Sequence, residues 1–555
     1  MNIQERIAVK LFSSDLPTLQ SIEERYPQRV LPADAMVTRV APSPTGFMHL
    51  GGLYAALISE RLAHQSGGVF YIRIEDTDKK REVAGAAGTI VRKLRNYDLV
   101  IDEGPLPSGD EVGAYGPYTQ SKRADLYHAH IRELYVQGRA YPCFCTVEEL
   151  DEMRKLQELQ RARFGYYGQW AKCRDRSEEK VLELLQSNTP YVMRFKSMGD
   201  FNKKITVADL LKGRRELSEN DQDIVIMKSD GLPTYHFAHL IDDHYMRTTH
   251  IVRGDEWFSS LPLHLQLFEL FGWTPPRYGH YAAIQKMDGT SKRKLSKRYD
   301  AEANVEYYTE VGYPRVAVLE YLLNLADSEF EEWRAAHQDT SYTEYVLRFE
   351  RLASSAGGAL FDLVKLESIS KDVIANMRAQ DVYECAVEWA REQSTAFARV
   401  LEDQSDYAIQ SLSVERALDG KGRKDIAKWS DVPKEISYFF EPFTLTQDQI
   451  QLLKGISQDV LHGSIELFIK TYEDTDSKER WFEKVKEIAK TYGYAESQKE
   501  LKTHQEQYKG YVADIVKIFR VLLTGRAQSP DLHAIMKVMG NERVFRRLKT
   551  GLDLL

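Results

Sequence analysis

The run Arg39-Val-Ala-Pro-Ser-Pro-Thr-Gly-Phe-Met-His-Leu-Gly-Gly52 restricts what this chain can fold into more than any other stretch. Met36 to Ala41 read as a short apolar strand, Pro42 and Pro44 stiffen the loop after it, and Gly51-Gly52 stands at the mouth of a helix. Leu53, Ala56, Leu57 and Leu62 mark that helix by their spacing between polar neighbours. Unpaired N–H groups at a helix start, with the helix dipole behind them, attract phosphate. Glycine lets a phosphate chain lie against the backbone, and His49 can donate a hydrogen bond to it. The spacing is neither G-x-G-x-x-G nor G-x-x-x-x-G-K-[ST], so the dinucleotide-binding and P-loop fingerprints are both missing.

At roughly 150 residues per domain, a chain of 555 residues predicts about three or four domains. A formal charge of −8 argues against a protein that coats nucleic acid indiscriminately, but leaves room for a local basic footprint. Four cysteines are too few for a disulfide scaffold and fit a reducing compartment. No apolar run approaches the roughly eighteen residues of a membrane span, and Met1-Asn-Ile-Gln-Glu-Arg6 lacks a hydrophobic signal core. A soluble, cytoplasmic protein without membrane contact is the expectation.

After the first helix, Gly67-Gly68 breaks the chain and Val69-Phe-Tyr-Ile-Arg-Ile74 forms a second strand ending on Glu75-Asp-Thr-Asp78. Strand, helix and strand make a βαβ unit, whose ligand site lies at the carboxyl ends of its strands. That topology gathers Arg39, Ser43 and Glu75 at the same edge as His49. A later apolar strand, His250-Ile-Val-Arg253, opens into Gly254-Asp-Glu-Trp257. An arginine ending such a strand needs an acceptor, and its fixed fork suits a carboxylate better than an amide. A structural ion pair with Asp242, Asp243 or Asp255 is the competing account of Arg253. Farther on, Asp288-Gly-Thr makes a turn before the basic run Lys292-Arg-Lys-Leu-Ser-Lys-Arg298, which taken alone reads as a solvated loop or nucleic-acid patch.

Together these residues carry a resemblance. Pro42 to Gly52 resembles the "HIGH" signature of class I aminoacyl-tRNA synthetases, in the form shared by the glutamyl and glutaminyl enzymes. Arg73-Ile-Glu-Asp-Thr-Asp78 is similar to their next landmark, and Lys294-Leu-Ser-Lys-Arg298 to their "KMSKS" loop, with leucine for methionine. The resemblance implies that an amino acid's α-carboxylate attacks the α-phosphate of ATP, releasing pyrophosphate, and that the terminal ribose hydroxyl of a tRNA then attacks the adenylate. It implies an ATP site of His49, Gly51, Gly52, Lys294, Leu295, Ser296 and Lys297, with Mg²⁺ bridging the phosphates and Glu256 and Trp257 on the adenosine side. His49, Gly51, Gly52, Lys294 and Lys297 would carry the catalysis. Glu75 would hold the substrate's α-ammonium, Arg39 and Ser43 would help hold its carboxylates, and Ala41 would belong to the same glutamate site. Tyr235 would line the same pocket with His239, which stands where some relatives have asparagine. Arg253 would face the substrate side chain, where glutamyl enzymes carry arginine and the well-known glutaminyl enzymes a small uncharged residue. L-glutamate is therefore the substrate implied.

Between about 118 and 226 the chain leaves the βαβ pattern. In the family resembled, this segment is inserted between the halves of the nucleotide fold and holds the tRNA acceptor end, and some members bind structural Zn²⁺ there. Cys143, Cys145 and Cys173 supply three thiolates toward such a site, leaving the fourth position to Tyr167, to Tyr166 or to no residue. Beyond about 300 helical periodicity dominates, as in the stripes Trp481, Val485, Ile488 and Val512, Ile515, Phe519, Leu522, which are core packing first. Leu360 to Leu366 and Leu523 to Asp531 resemble the bacterial-type glutamyl enzymes, whose anticodon-binding part is helical. The expected architecture is α/β: a Rossmann-type class I nucleotide fold with an inserted acceptor-binding domain and an all-α C-terminal region. Its boundaries are an extension at 1–37, catalytic halves at 38–117 and 227–300, the insertion at 118–226, a stem-contact domain at 301–372 and anticodon-binding domains at 373–555. A monomer acting on the glutamate tRNA isoacceptor is expected. The alternatives are an enzyme that also glutamylates the glutamine tRNA, a glutaminyl enzyme, another ATP-dependent nucleotidylyltransferase, and a non-catalytic tRNA-binding paralogue.

Overall fold

Strand Val37–Val40 is buried at every residue and pairs in parallel with Val69–Ile72, Val37 lying opposite Val69 and Val40 opposite Ile72. Helix Leu50–Gln65 makes the crossover, so the βαβ unit stands as read. Val37 N–H donates to the Thr249 hydroxyl at 2.8 Å and Thr249 N–H returns to Val37 O at 3.0 Å. This pair of bonds carries the sheet on to His250–Gly254, which runs parallel to Arg277–Tyr281. On the other flank Tyr71 bridges in parallel to Glu103 and Ile74 to Thr119. Parallel strands covered on both faces call for continuous apolar runs, which explains Val-Phe-Tyr-Ile72 and His-Ile-Val252. The second strand is shorter than its apolar run because Arg73 N–H still reaches Val40 O, at 3.1 Å, whereas Ile74 turns away to Tyr118 O at 2.8 Å.

The structure is a computed structural model describing residues 3–352, 359–416 and 422–555. It divides into two compact units, Met1–Tyr307 with Leu319–Asp362, and Tyr308–Val318 with Leu363–Leu555. Within the first, the inserted segment builds an antiparallel sheet from Ala140–Cys143, Val192–Phe195 and Val225–Met227. Its hairpin Lys204–Asp209 and Gly213–Ser218 reaches the parallel sheet, where Asp209 pairs with Tyr278. Helices Ile3–Leu11 and Leu19–Arg25 belong to the same core through Ile7, Ile22 and Tyr26, packed with Leu126, Tyr127, Val181 and Leu182. Arg29 closes this extension with a two-bond fork on Glu103, both contacts at 2.7 Å.

The second unit is helical, with the single bridge between Ala495 and Tyr511 as its only strand-like pairing among the described residues. Both apolar stripes read from the sequence are buried in its core. Among the described residues no helix is long and apolar enough to cross a membrane.

Gly68 allows the tight return from helix to second strand. A Cβ there would come within 2.0 Å of Met36 O, the acceptor of the Val69 N–H bond. The obstacle is backbone and cannot rotate away. Gly68→Ala is expected to lower the unfolding free energy by about 3 kcal/mol. Urea unfolding checks this, and a midpoint equal to that of the native chain contradicts so close an approach.

Candidate active site

The carboxyl ends of the parallel strands open into a cleft of about 1430 Å³. Arg39, Ala41, Ser43, Glu75, Tyr235 and Arg253 line it, as do His49, Gly51, Gly52, Glu256, Trp257 and the whole of Lys294 to Lys297. The structure thus brings together residues that lie far apart in the chain.

His49 caps the first helix, its Nδ1 accepting the Gly51 N–H at 2.9 Å. Acceptance at Nδ1 leaves the proton on Nε2, which donates to Leu295 O at 3.3 Å. Burial, followed by the charge of Lys297, holds this imidazole below its ordinary pKa, so it stays neutral. One element of the phosphate-loop expectation needs correction. Gly51 N–H is taken by His49 Nδ1, and Gly52 N–H by His49 O at 2.8 Å. The helix start presents its dipole to the cleft, while these two amides are already paired. Gly51 has a different use: a Cβ there would stand 3.1 Å from His49 Nδ1, so glycine lets the ring fold over the helix end.

The basic loop follows the hairpin Gln285–Asp288 and Ser291–Lys294. Asp300 ties its base, taking the Arg293 fork at 2.6 and 2.8 Å and the Ser296 N–H at 2.8 Å. Lys297 Nζ donates to Phe47 O at 3.1 Å and sits 5.0 Å from the centre of the Phe47 ring. Leu295, 1% exposed, points its side chain into the core and offers its carbonyl to His49. Two backbone acceptors, Phe47 O and Leu295 O, therefore join the two signature loops, and leucine fills the methionine position as packing.

Arg39 and Glu75 sit over a buried ionic cluster. Arg73 donates to Glu75 at 3.0 Å and to Asp243 at 2.6 Å, Arg39 lies 3.5 Å from Asp243, and Arg123 donates to Asp242 at 2.7 Å. Burial raises the Glu75 carboxyl above its usual range even beside Arg73 and Arg39, so an added cation would be favoured there. Asp243 moves the other way: burial works against its charge, but Arg73 and Arg39 outweigh it and hold it well below the usual range.

Arg253 is 6% exposed and lines the cleft, yet no carboxylate holds it among the described residues. Its Nε–H donates to His280 Nε2 at 2.9 Å, one terminal nitrogen to His264 Nδ1 at 3.1 Å and the other to the Tyr235 hydroxyl at 3.4 Å. The ion pair considered from sequence is absent, because Asp242 and Asp243 serve Arg123, Arg73 and Arg39, and Asp255 faces Lys212 at 3.7 Å. Tyr235 packs on Trp257 with ring centres 4.1 Å apart, so a residue the resemblance gives to the amino acid touches one it gives to adenosine.

Two sequence assignments are displaced. His239 does not line the cleft: it is fully buried, stacked 5.6 Å behind Tyr235, donating to Asp243 at 2.5 Å and accepting from the Tyr278 hydroxyl at 3.2 Å. At the cysteines, Tyr167 turns away to donate to Arg163 O, whereas the Tyr166 hydroxyl lies 3.5 Å from Cys143 Sγ and 3.3 Å from Cys145 Sγ. Adjacent residues on an extended chain point to opposite sides, so only one of the two tyrosines can face the sulfurs. His264, His280 and Asp209 were not singled out from sequence. The available signal was a histidine inside the buried strand Arg277–Tyr281, where a polar side chain needs a buried partner.

The second unit carries a smaller groove of about 350 Å³ lined by Lys478, Trp481, Phe482, Arg520, Ser529 and Pro530. The indole N–H of Trp481 and the Nε–H of Arg520 are buried there without a hydrogen-bond partner.

Comparison with known proteins agrees with this division. The family described as tRNA synthetases class I (E and Q), catalytic domain, matches residues 35–366, and an anticodon binding domain matches residues 421–552. A glutamate–tRNA ligase of Clostridium perfringens (strain SM101 / Type A) is 46% identical over 552 residues, covering 99% of this chain and 100% of the relative. One from Clostridium beijerinckii is 45% identical over 553 residues, with the same coverage. The crystal structure of a glutamate tRNA ligase from Elizabethkingia meningosepticum in complex with its amino acid matches with a TM-score of 0.75 at 26% identity, over 94% of this chain and 100% of that one. Matched at both its catalytic and its anticodon-binding segments, and by such relatives along nearly all its length, the chain belongs to the glutamate–tRNA ligases, among the class I aminoacyl-tRNA synthetases.

Proposed function

We propose that this chain joins L-glutamate to the 3′ end of the glutamate tRNA, using ATP and a glutamyl-adenylate intermediate. What supports glutamate in particular is the state of Arg253: buried, lining the cleft and paired with neutral groups only. A desolvated guanidinium without a counter-charge favours a ligand that brings one. Glu75 receives the α-ammonium, and Arg39 with Ser43 orients the α-carboxylate toward the α-phosphate. Adenylation then depends on positioning and on neutralising charge. Lys294 and Lys297 supply positive charge, His49 supplies its Nε2–H, and Trp257 with Glu256 holds the adenosine. Asp78 and Asp230 line the cleft with the oxygen donors that magnesium takes, and Mg²⁺ would neutralise charge on the phosphates.

The groove of Trp481, Phe482 and Arg520 lies within the matched anticodon-binding segment and combines aromatic faces with cations, the chemistry that holds unpaired bases. Residues 118–226 take the acceptor end, and 301–372 the stem. We place the protein in the cytoplasm as a monomer, where its four free cysteines stay reduced. Labelled glutamate offered with glutamate and glutamine tRNA transcripts tests the reading. Charging of the glutamate tRNA is expected; charging of both identifies the less selective enzyme, and charging of neither overturns the proposal.

Zinc fits the cysteine cluster. Its three sulfurs lie within 4.8 Å of one another, with Cys145 and Cys173 3.6 Å apart. Bonds of ~2.3 Å at tetrahedral angles place sulfurs about 3.8 Å apart. Cys143, Cys145, Cys173 and Tyr166 would hold the ion, which would brace the sheet Ala140–Cys143 against the loop 166–173. Elemental analysis is expected to find one zinc per chain, lost in Cys145→Ser with a lower melting temperature. A native protein free of zinc after purification without chelator contradicts this.

A further inference from the structure

Arg253 is held from behind by two imidazoles, and each imidazole is fixed by a partner of its own. His280 Nδ1 donates to Asp209 Oδ2 at 2.6 Å, which leaves Nε2 as the acceptor that Arg253 requires. Asp209 is itself set by the N–H groups of Leu211 and Lys212, at 2.9 and 2.8 Å. His264 must accept from Arg253 through Nδ1, so its Nε2–H donates to His236 Nδ1 at 3.0 Å. His280 is 1% exposed and His264 fully buried. Burial pushes His236, His264 and His280 all below the ordinary imidazole range, so each can accept. The Arg253 guanidinium also lies 4.7 Å from the centre of the Tyr278 ring, which blocks one face.

An arginine in a pocket can be held still in two ways. Carboxylate partners fix the fork but cancel its charge, and the pocket then has less reason to choose an acid over an amide. Imidazole acceptors fix the same N–H groups and leave the charge exposed to the ligand. Here the nearest carboxylate in the relay, Asp209, stands one imidazole away.

We propose that His280 and His264 are positioning residues for substrate selection: they hold the Arg253 fork through imidazole acceptors that leave its charge uncompensated, so the pocket prefers an amino acid whose side chain ends in a carboxylate. The proposal rests on the assignment of Arg253 to the substrate side chain and names the groups that make that assignment selective.

Steady-state ATP–pyrophosphate exchange on the full chain, with tRNA present, tests it. The variants are His280→Leu, His280→Gln, His264→Leu and His264→Asn, beside Arg253→Gln. Glutamine puts an amide oxygen near the position of Nε2, and asparagine puts one near Nδ1. The leucine variants are expected to raise KM for glutamate by roughly 10- to 100-fold and to narrow the glutamate-to-glutamine ratio similarly, the scale of a lost hydrogen bond to a charged group. KM for ATP should hardly move, and the amide variants should recover most of the loss. If Arg253→Gln raises KM for glutamate and the leucine variants do not, the histidines do not position Arg253. Equal rises in KM for ATP and glutamate, or amide variants no better than leucine, leave only a structural role and also overturn it. If Arg253→Gln itself leaves glutamate KM unchanged, the underlying assignment is the part that fails. Should His280→Leu not fold, His280→Asn, too short to reach Arg253, takes its place against His280→Gln with the same readout.

Discussion

Arg253→Gln is expected to lower kcat/KM for glutamate by about 100-fold, while activation of glutamine changes little. The native side chain is the buried cation at the end of strand His250–Gly254, and none of its direct partners carries a negative charge. A substrate carboxylate meeting it would gain charge-assisted bonds to a guanidinium that is itself only 6% exposed. An amide in its place leaves a terminal donor opposed to a donor. Truncation to glutamine also leaves the lone pairs of His280 Nε2 and His264 Nδ1 facing a gap, so part of the loss is disorder at the pocket wall. The measurement is exchange with each amino acid in turn. An unchanged glutamate-to-glutamine ratio in the variant refutes the role.

Lys297→Ala should lower the rate of adenylate formation by roughly 100- to 1,000-fold, the range for removing one preorganised charge from a transition state. Glutamate binding should be nearly untouched, because Lys297 contacts Phe47 O and the Phe47 ring rather than the amino-acid wall. Desolvation beside Phe47 lowers its pKa from the ordinary lysine value. Single-turnover formation of the adenylate, compared with equilibrium binding of glutamate, separates the two effects. Exchange at the native rate in Lys297→Ala sinks the assignment.

The parts of the site that sequence made legible are those where backbone pattern and chemistry coincide. Val37–Val40, helix Leu50–Gln65 and Val69–Ile72 follow from local periodicity, and the right-handed crossover then places His49, Arg39 and Glu75 at one edge. What local pattern could not show was which neighbour satisfies which polar atom. Gly51 and Gly52 looked like open phosphate donors, but the His49 ring folds back on the Gly51 amide, a choice made by its rotamer rather than by spacing, and the His49 carbonyl takes the Gly52 amide. His239 looked like a pocket residue by resemblance alone, standing where some relatives have asparagine; packing puts it behind the tyrosine ring instead. Tyr166 and Tyr167 differ only by which side of an extended chain faces the cysteines, and no periodicity sets that phase in a loop. His264 and Asp209 stayed hidden for a further reason. They come from a helix and from a hairpin of the inserted segment, and only the assembled sheet brings them near Arg253.

The most direct test of a pocket built around an uncompensated arginine is the native chain in tRNA-dependent ATP–pyrophosphate exchange, run with glutamate and with glutamine at matched concentrations. Exchange with glutamate and little with glutamine is the predicted result. Equal exchange with the two, or faster exchange with glutamine, contradicts it.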